Sequence, residues 1–324
     1  MSGSGDVMAA QVSKEEIRGR LDRTRRIAAE RGFDGLVVIG RSFYDRCGDL
    51  AYLTNHFPPF PATVFSETQK GLGHGVLVLP VRGDPALVID GRAYRKEMMV
   101  VDEIVADTDL ARGVVGALRS RALESARVGL VGDDIMPVAM YRMIAEALPA
   151  LRLLPADEIV RGQRSVKSPA EQALLRRAAE VSDAGLRAAL GRVREGATET
   201  EVCAAGIAAA MEAGADFVRY LRVHSGEYSS YGSRWPQALP RRMERGDLVA
   251  MDIIGAAGGY QFDVLRTTVV GAPDAEQRAF LDAVARAADV AVAAARPGAI
   301  CGDLVRTANR LLDDAGYGAH ARTF

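Results

Sequence analysis

The chain lacks most of the features that would assign it to a membrane, to nucleic acid or to an oxidising compartment. No apolar run approaches the ~18–20 residues that a membrane span needs, and the N-terminus has no basic stretch followed by an apolar one, as a secretory leader would. Net charge is only -1 across 324 residues, with 41 Lys and Arg against 42 Asp and Glu, so nothing in the balance favours a polyanion or an acidic surface. Cysteine is scarce. Cys47, Cys203 and Cys301 are odd in number, far apart and free of C-x-x-C spacing, which argues against a disulfide framework or a zinc site and fits a reducing, cytoplasmic location.

What is present is an ordinary globular composition, 48% hydrophobic and 26% charged, at a length that exceeds the usual single core. Two domains are expected. Residues 1–12 are small and polar and read as a disordered lead-in. Ser13 with Glu16 forms a capping-box pattern ahead of Ile17, Leu21 and Ile27, predicting a helix over 13–31. Short apolar runs at 35–40 (GLVVIG), 75–80 (GVLVLP), 86–90 (ALVID) and 128–132 (VGLVG) predict strands, with a helix around 140–148. This alternation predicts an α/β domain over 13–160.

Residues 161–324 have a different character. Ser168, Pro169 and Glu171 occupy N-cap, N1 and N3 of a helix, and Thr198 with Glu201 opens the next, which Gly214 closes. The stretch 169–190 resembles 274–295, and the turns and terminal glycines of the two copies correspond at an offset of 102 for 194–196 with 296–298 and for Gly214 with Gly316. A chance match of two alanine-rich helices competes with duplication, and agreement of helices, turns and glycines favours duplication. Two strands follow the first copy. Only eight residues follow Gly316. The expectation is that the chain is part of a longer reading frame, or that the second copy has lost its sheet.

Those two strands, within GDLVAMDIIGAAGGYQFDVLRTTVVG (246–271), carry one aspartate each. An antiparallel hairpin with a four-residue loop at 256–259 places Asp252 opposite Asp263, with Cβ atoms roughly 4.5–5.5 Å apart. Like charges so placed repel, and their neighbours Ala250 and Leu265 offer no counter-charge. A shared divalent cation resolves the conflict. A different register, or an aspartate that caps a turn, does so equally well.

MDIIGAAGGYQFDVLRT resembles the "D-x-G-A…G-Y…D-x-T-R-T" signature of the creatinase, aminopeptidase P and prolidase metallopeptidase family, with Leu265 in place of the usual Thr. RSVKSPAE at 164–171 resembles the segment with which that family's catalytic domain begins, and AYLT at 51–54 stands where the N-terminal domain has "YLTG". The resemblance implies an α+β protein: an N-terminal α/β creatinase-like domain followed by a pita-bread domain that lacks its last strands. It implies that Asp252 and Asp263 are two of five ligands to a dinuclear Mn, Co or Zn centre, with a small peptide or other small C-N compound as substrate and a homodimer as the assembly. The family's remaining ligands, a G-H-G histidine and two glutamates, have no counterpart after Asp263. His320 lacks the flanking glycines and reads as a loop residue. The G-H-G at 73–75 reads as a turn.

One departure bears on substrate. Family peptidases carry a further histidine upstream of the first aspartate, yet residues 228–245 contain none, and Trp235 falls where it is expected. Either His224 replaces the absent histidine as the catalytic group from a shifted position, or the site binds something other than an ordinary X-Pro peptide; Trp235 and Tyr260 are the residues expected to contact substrate. His224 as a strand-end residue and Trp235 as packing is the competing structural reading. Retention of both aspartates separates the chain from the metal-free creatinase branch. A hydrolase impaired as these 324 residues is expected, with a non-catalytic binding protein, a lyase or a small-metabolite amidohydrolase as alternatives.

Overall fold

A computed structural model describes residues 12–60, 64–65, 70–92, 94–230 and 235–318. His320 lies outside the described residues. The chain divides into two compact units, Met1–Glu180 with Ala256–Gln261, and Val181–Gly255 with Phe262–Phe324.

The first unit is built on a mixed six-stranded sheet. In chain order it contains α1 (Lys14–Glu30), β1 (Gly35–Arg41), α2 (Gly48–Thr54), β2 (Val64–Phe65), β3 (Lys70–Leu72), β4 (His74–Pro80), β5 (Ala86–Ile89), β6 (Glu103–Ala106), α3 (Leu110–Arg119), β7 (Arg127–Val131), α4 (Val138–Ala147), β8 (Arg152–Pro155) and α5 (Asp157–Ser165). The sheet order is β6-β5-β4-β1-β7-β8, and β2 pairs with β3 separately. β1 runs antiparallel to β4 and parallel to β7. Because side chains alternate across a strand, Leu36 and Val38 enter one core while Val37 and Ile39 enter the other. Strands covered on both faces read as unbroken apolar runs, which is why β1, β4 and β5 were legible.

The expected capping box of α1 forms only in part. Ser13 accepts from the Glu16 N–H, but the Glu16 carboxylate turns to Arg20 at 2.7 Å. Arg20 is buried, lies 4.1 Å from the centre of the Tyr52 ring and pairs with Glu171 at 3.4 Å. Glu171 also closes the box at the start of α6 (Pro169–Arg192), bonding the Ser168 N–H while Ser168 Oγ accepts from the Glu171 N–H. In the stretch read as a G-H-G turn, only Gly73 turns. His74 begins β4, buried and paired with Arg41.

The second unit holds the rest of α6, then α7 (Glu199–Glu212), β9 (Phe217–Ser225), β10 (Leu248–Ala257) and β11 (Tyr260–Val269) apart from their tip at 256–261, α8 (Ala275–Ala294) and α9 (Cys301–Asp314). The three strands lie in the order β11-β10-β9. Thr198 and Glu201 form the full capping box expected of them. The two helix pairs end alike: Gly196 and Gly298 have φ of 80° and 86°, and Gly214 and Gly316 of 98° and 85°, as the internal similarity implies. Among the described residues no helix is long and apolar enough to cross a membrane.

Two buried histidines give the first unit an acid-sensitive core. Burial pushes the His56 imidazole down to about 4 and lowers that of His74 as well. The unfolded chain takes up a proton near pH 6.5 that the folded chain refuses until about pH 4, so stability is full above 6.5 and falls as pH drops through that window. His56→Leu, followed by urea unfolding at pH 7 and pH 4.5, is expected to remove ~2–3 kcal/mol of the acid loss.

Candidate metal centre

The sheet of the second unit has one face turned to its helices. Val249, Met251, Ile253 and Leu221 are buried there. Gly185 on α6 and Gly206 on α7 admit them, since a Cβ at Gly185 would stand 2.9 Å from Ile253 Cδ1 and one at Gly206 would stand 2.3 Å from Leu221 Cδ2. By the period of two, Asp252 points to the opposite face.

β10 and β11 are joined by a two-residue turn, Gly258-Gly259, rather than the expected four-residue loop. Both glycines have positive φ, 61° and 77°, as a tight hairpin turn of this twist requires. Shortening the loop by two residues keeps every side chain on its face, because the strand period is two. The shorter loop moves Asp263 from directly opposite Asp252 to the diagonal position on the same face, where its charge still acts on the Asp252 carboxyl.

The pair is not left uncompensated, and here the sequence reading is corrected. Arg222, on the neighbouring strand β9, places Nη1 3.2 Å from Asp252 Oδ2 and stacks 3.9 Å from the centre of the Tyr220 ring. The counter-charge comes from outside the hairpin, and its trace in the sequence is the period-two placement of Tyr220 and Arg222. Burial raises the Asp252 carboxyl above the usual range, the charge of Asp263 raises it further, and Arg222 pulls it back. Among the described residues, the only group of three possible ligands drawn together is Asp133, Asp134 and Asp157, in the first unit. At the hairpin the donor set is two carboxylates, which suits part of a divalent site and not a whole one.

The other expected site residues fall in separate surroundings. His224 is buried at the end of β9 with Nε2 3.4 Å from the Pro236 carbonyl oxygen. Trp235 is 86% exposed. The Tyr260 hydroxyl donates to Glu171 Oε1 at 2.9 Å, so it is engaged in the first unit's Arg20 and Glu171 cluster. Burial, followed by that bond, raises the Tyr260 phenol. Leu265 is half exposed. Burial pushes the Cys47 thiol up to about 12, which keeps it protonated and inert at neutral pH.

A buried polar anchor beside His224 was not read from the sequence. Glu199, the first residue of α7, is fully buried. Its Oε1 accepts from the Ser225 N–H at 2.8 Å and hydroxyl at 2.6 Å, and its Oε2 from the Leu239 N–H at 2.9 Å. Arg241 joins Ser225 Oγ at 2.8 Å to Asp247 at 2.6 Å. This cluster ties the end of β9 to the segment that leads into β10.

The pattern of "Metallopeptidase family M24" matches residues 173–324, and that of the "Creatinase/Prolidase N-terminal domain" matches 20–166. The chain belongs to the creatinase, aminopeptidase P and prolidase family. A family member from Pyrococcus horikoshii, an Xaa-Pro dipeptidase, is 32% identical over 211 residues, covering 62% of this chain and 56% of the relative. The Xaa-Pro dipeptidase of Pyrococcus furiosus is 32% identical over 173 residues, 50% of this chain and 46% of the relative. The chain thus aligns with about half the length of these curated relatives. The crystal structure of the prolidase from Pyrococcus horikoshii superposes with a TM-score of 0.77 at 21% identity, covering 93% of this chain and 79% of that one, which establishes the α+β, creatinase-like and pita-bread architecture.

Removing the anchor should separate loss of shape from loss of charge. Glu199→Ala leaves three donors without their acceptor, two of them buried, and is expected to cost about 3–5 kcal/mol in urea unfolding, whereas Glu199→Gln, which keeps the shape, costs about 1–3 kcal/mol.

Proposed function

We propose that this peptidase-type chain is a metal-dependent hydrolase of the Xaa-Pro dipeptidase or aminopeptidase type, acting on a small peptide or another small C-N substrate. The domains are read as 13–160 and 161–324 after a lead-in at 1–12, and the protein as a cytoplasmic homodimer. The observation that carries the proposal is the placement of Asp252 and Asp263 on one face of one hairpin, close enough for their charges to act on each other. Two neighbouring carboxylates form a donor set for a hard or borderline divalent cation such as Mn, Co or Zn. When bound, such a metal supplies an activated water and polarises a carbonyl.

The chain's own residues would do the rest. Asp252 and Asp263 hold the cation, and the Gly258-Gly259 turn keeps their strands paired. Glu199, through Ser225 and Leu239, fixes the end of β9 and the approach to β10. His224 is assigned proton transfer, and Trp235 substrate contact. Trp235, with most of its surface open, is the residue best placed to stack on a planar or cationic group. That exposure also supports the second reading, a pita-bread domain that binds its ligand without turnover.

Two carboxylates leave most coordination positions to water, so the 324 residues alone are expected to bind metal weakly and to be impaired in hydrolysis. Titration of Mn²⁺ by calorimetry should give a Kd weaker than about 100 µM, lost in both Asp252→Asn and Asp263→Asn. Release of proline from X-Pro dipeptides should be far below the usual ~1–10³ s⁻¹, and what remains should need metal and Asp252. Tight binding of two ions per chain would contradict the impairment. Hydrolysis or metal binding indifferent to both substitutions would contradict the site. A substrate-dependent change in fluorescence of Trp235, the single tryptophan, without metal-dependent turnover would favour the binding reading.

A further inference from the structure

The face that carries the aspartates also carries a fixed cation. Tyr220 and Arg222 are two residues apart on β9, so both side chains leave the same side of the strand. Arg222 Nη1 reaches Asp252 Oδ2 at 3.2 Å, and the charges of Asp252 and Asp263 both act on the Tyr220 hydroxyl. Tyr220, Arg222, Asp252 and Asp263 are thus gathered on one face of β9, β10 and β11. The contact is partly withdrawn from water, with the Arg222 side chain 24% and that of Asp252 14% exposed, where opposite charges attract more strongly than on an open surface.

We propose that Arg222 is a built-in counter-ion that competes with a divalent cation for Asp252 and sets how tightly this chain holds metal. The proposal rests on the reading of Asp252 and Asp263 as metal ligands. Two ionised carboxylates carry a charge of -2, which one divalent ion balances. With Arg222 in contact, the cluster is already at -1, and a divalent ion entering it leaves an excess of +1. One acceptor position on Asp252 Oδ2 is also taken by the guanidinium. A metal that claims it must push Arg222 aside, and the Tyr220 ring 3.9 Å away holds the guanidinium where it is. Arginine keeps its proton throughout the accessible pH range, so raising the pH cannot relieve the competition as it would for a lysine or histidine.

Mn²⁺ titrated by calorimetry into the full 324-residue chain tests this, with far-ultraviolet circular dichroism to verify folding. Arg222→Gln and Arg222→Met, the latter lacking any hydrogen-bond donor, are expected to bind Mn²⁺ at least about tenfold more tightly than the unsubstituted chain. Arg222→Lys, which keeps the charge, is expected to stay within about threefold of it. Should neither neutral variant bind more tightly while Asp252→Asn with Asp263→Asn abolishes binding, the competition is refuted and the metal reading stands. Should no variant bind Mn²⁺, the neutral Arg222 variants included, the metal reading and the competition fall together. If Arg222→Lys tightens as much as Arg222→Gln, charge is not the cause, and the proposal is overturned on that ground.

Discussion

Two carboxylates held close together on one sheet face need a positive charge nearby, and the second unit is arranged around that requirement. Separation would relieve the repulsion, but the hairpin does not allow it: the Gly258-Gly259 turn fixes the pairing of β10 and β11, and the alternation of side chains sends both aspartates the same way. Arg222 provides one positive charge from the third strand. A divalent cation would supply two, in competition with Arg222 for Asp252.

The supports of this arrangement are polar as well as apolar. On the far side of the sheet, glycines in α6 and α7 let the helices approach closely enough to bury Ile253 and Leu221. At the end of β9, Glu199 replaces water for three donors at once, so the chain between Ser225 and Asp247 is tied to the start of a helix. In the first unit, Glu171 has a similar double use, completing a helix cap while accepting from Tyr260 and pairing with Arg20. Each of these carboxylates closes a local motif and also makes a contact distant in sequence. Local reading finds the first role and not the second.

That division describes how much of the protein the sequence disclosed. The buried strands β1, β4, β5 and β7, the caps at Ser168 and Thr198, and the repeated helix pairs rest on signals spanning a few residues, and they were legible. β6 was not singled out, because its short run is only half buried, whereas α3 does carry a start signal, the N-cap Asp109 that accepts from the Arg112 N–H. At the site, the shared face of the two aspartates could be inferred from strand period alone, since an error of two residues in the loop leaves faces unchanged, but it moves Asp263 from opposite Asp252 to the diagonal. Arg222 was missed because its role depends on β9 lying beside β10, a fact of sheet order. Glu199 was missed because a carboxylate at the first position of a helix is ordinarily a solvated group favoured by the helix dipole. Its complete burial is a tertiary fact.

The central claim is that the hairpin carboxylates, rather than any other acidic group, are where this chain meets a divalent metal. The competitor is specific: Asp133, Asp134 and Asp157 also lie within reach of one another. Anomalous diffraction from a crystal soaked in Mn²⁺ separates them directly. The expected result is a peak within about 2.0–2.6 Å of a carboxylate oxygen of both Asp252 and Asp263. A peak at Asp133, Asp134 and Asp157, with none at the hairpin, would contradict the account.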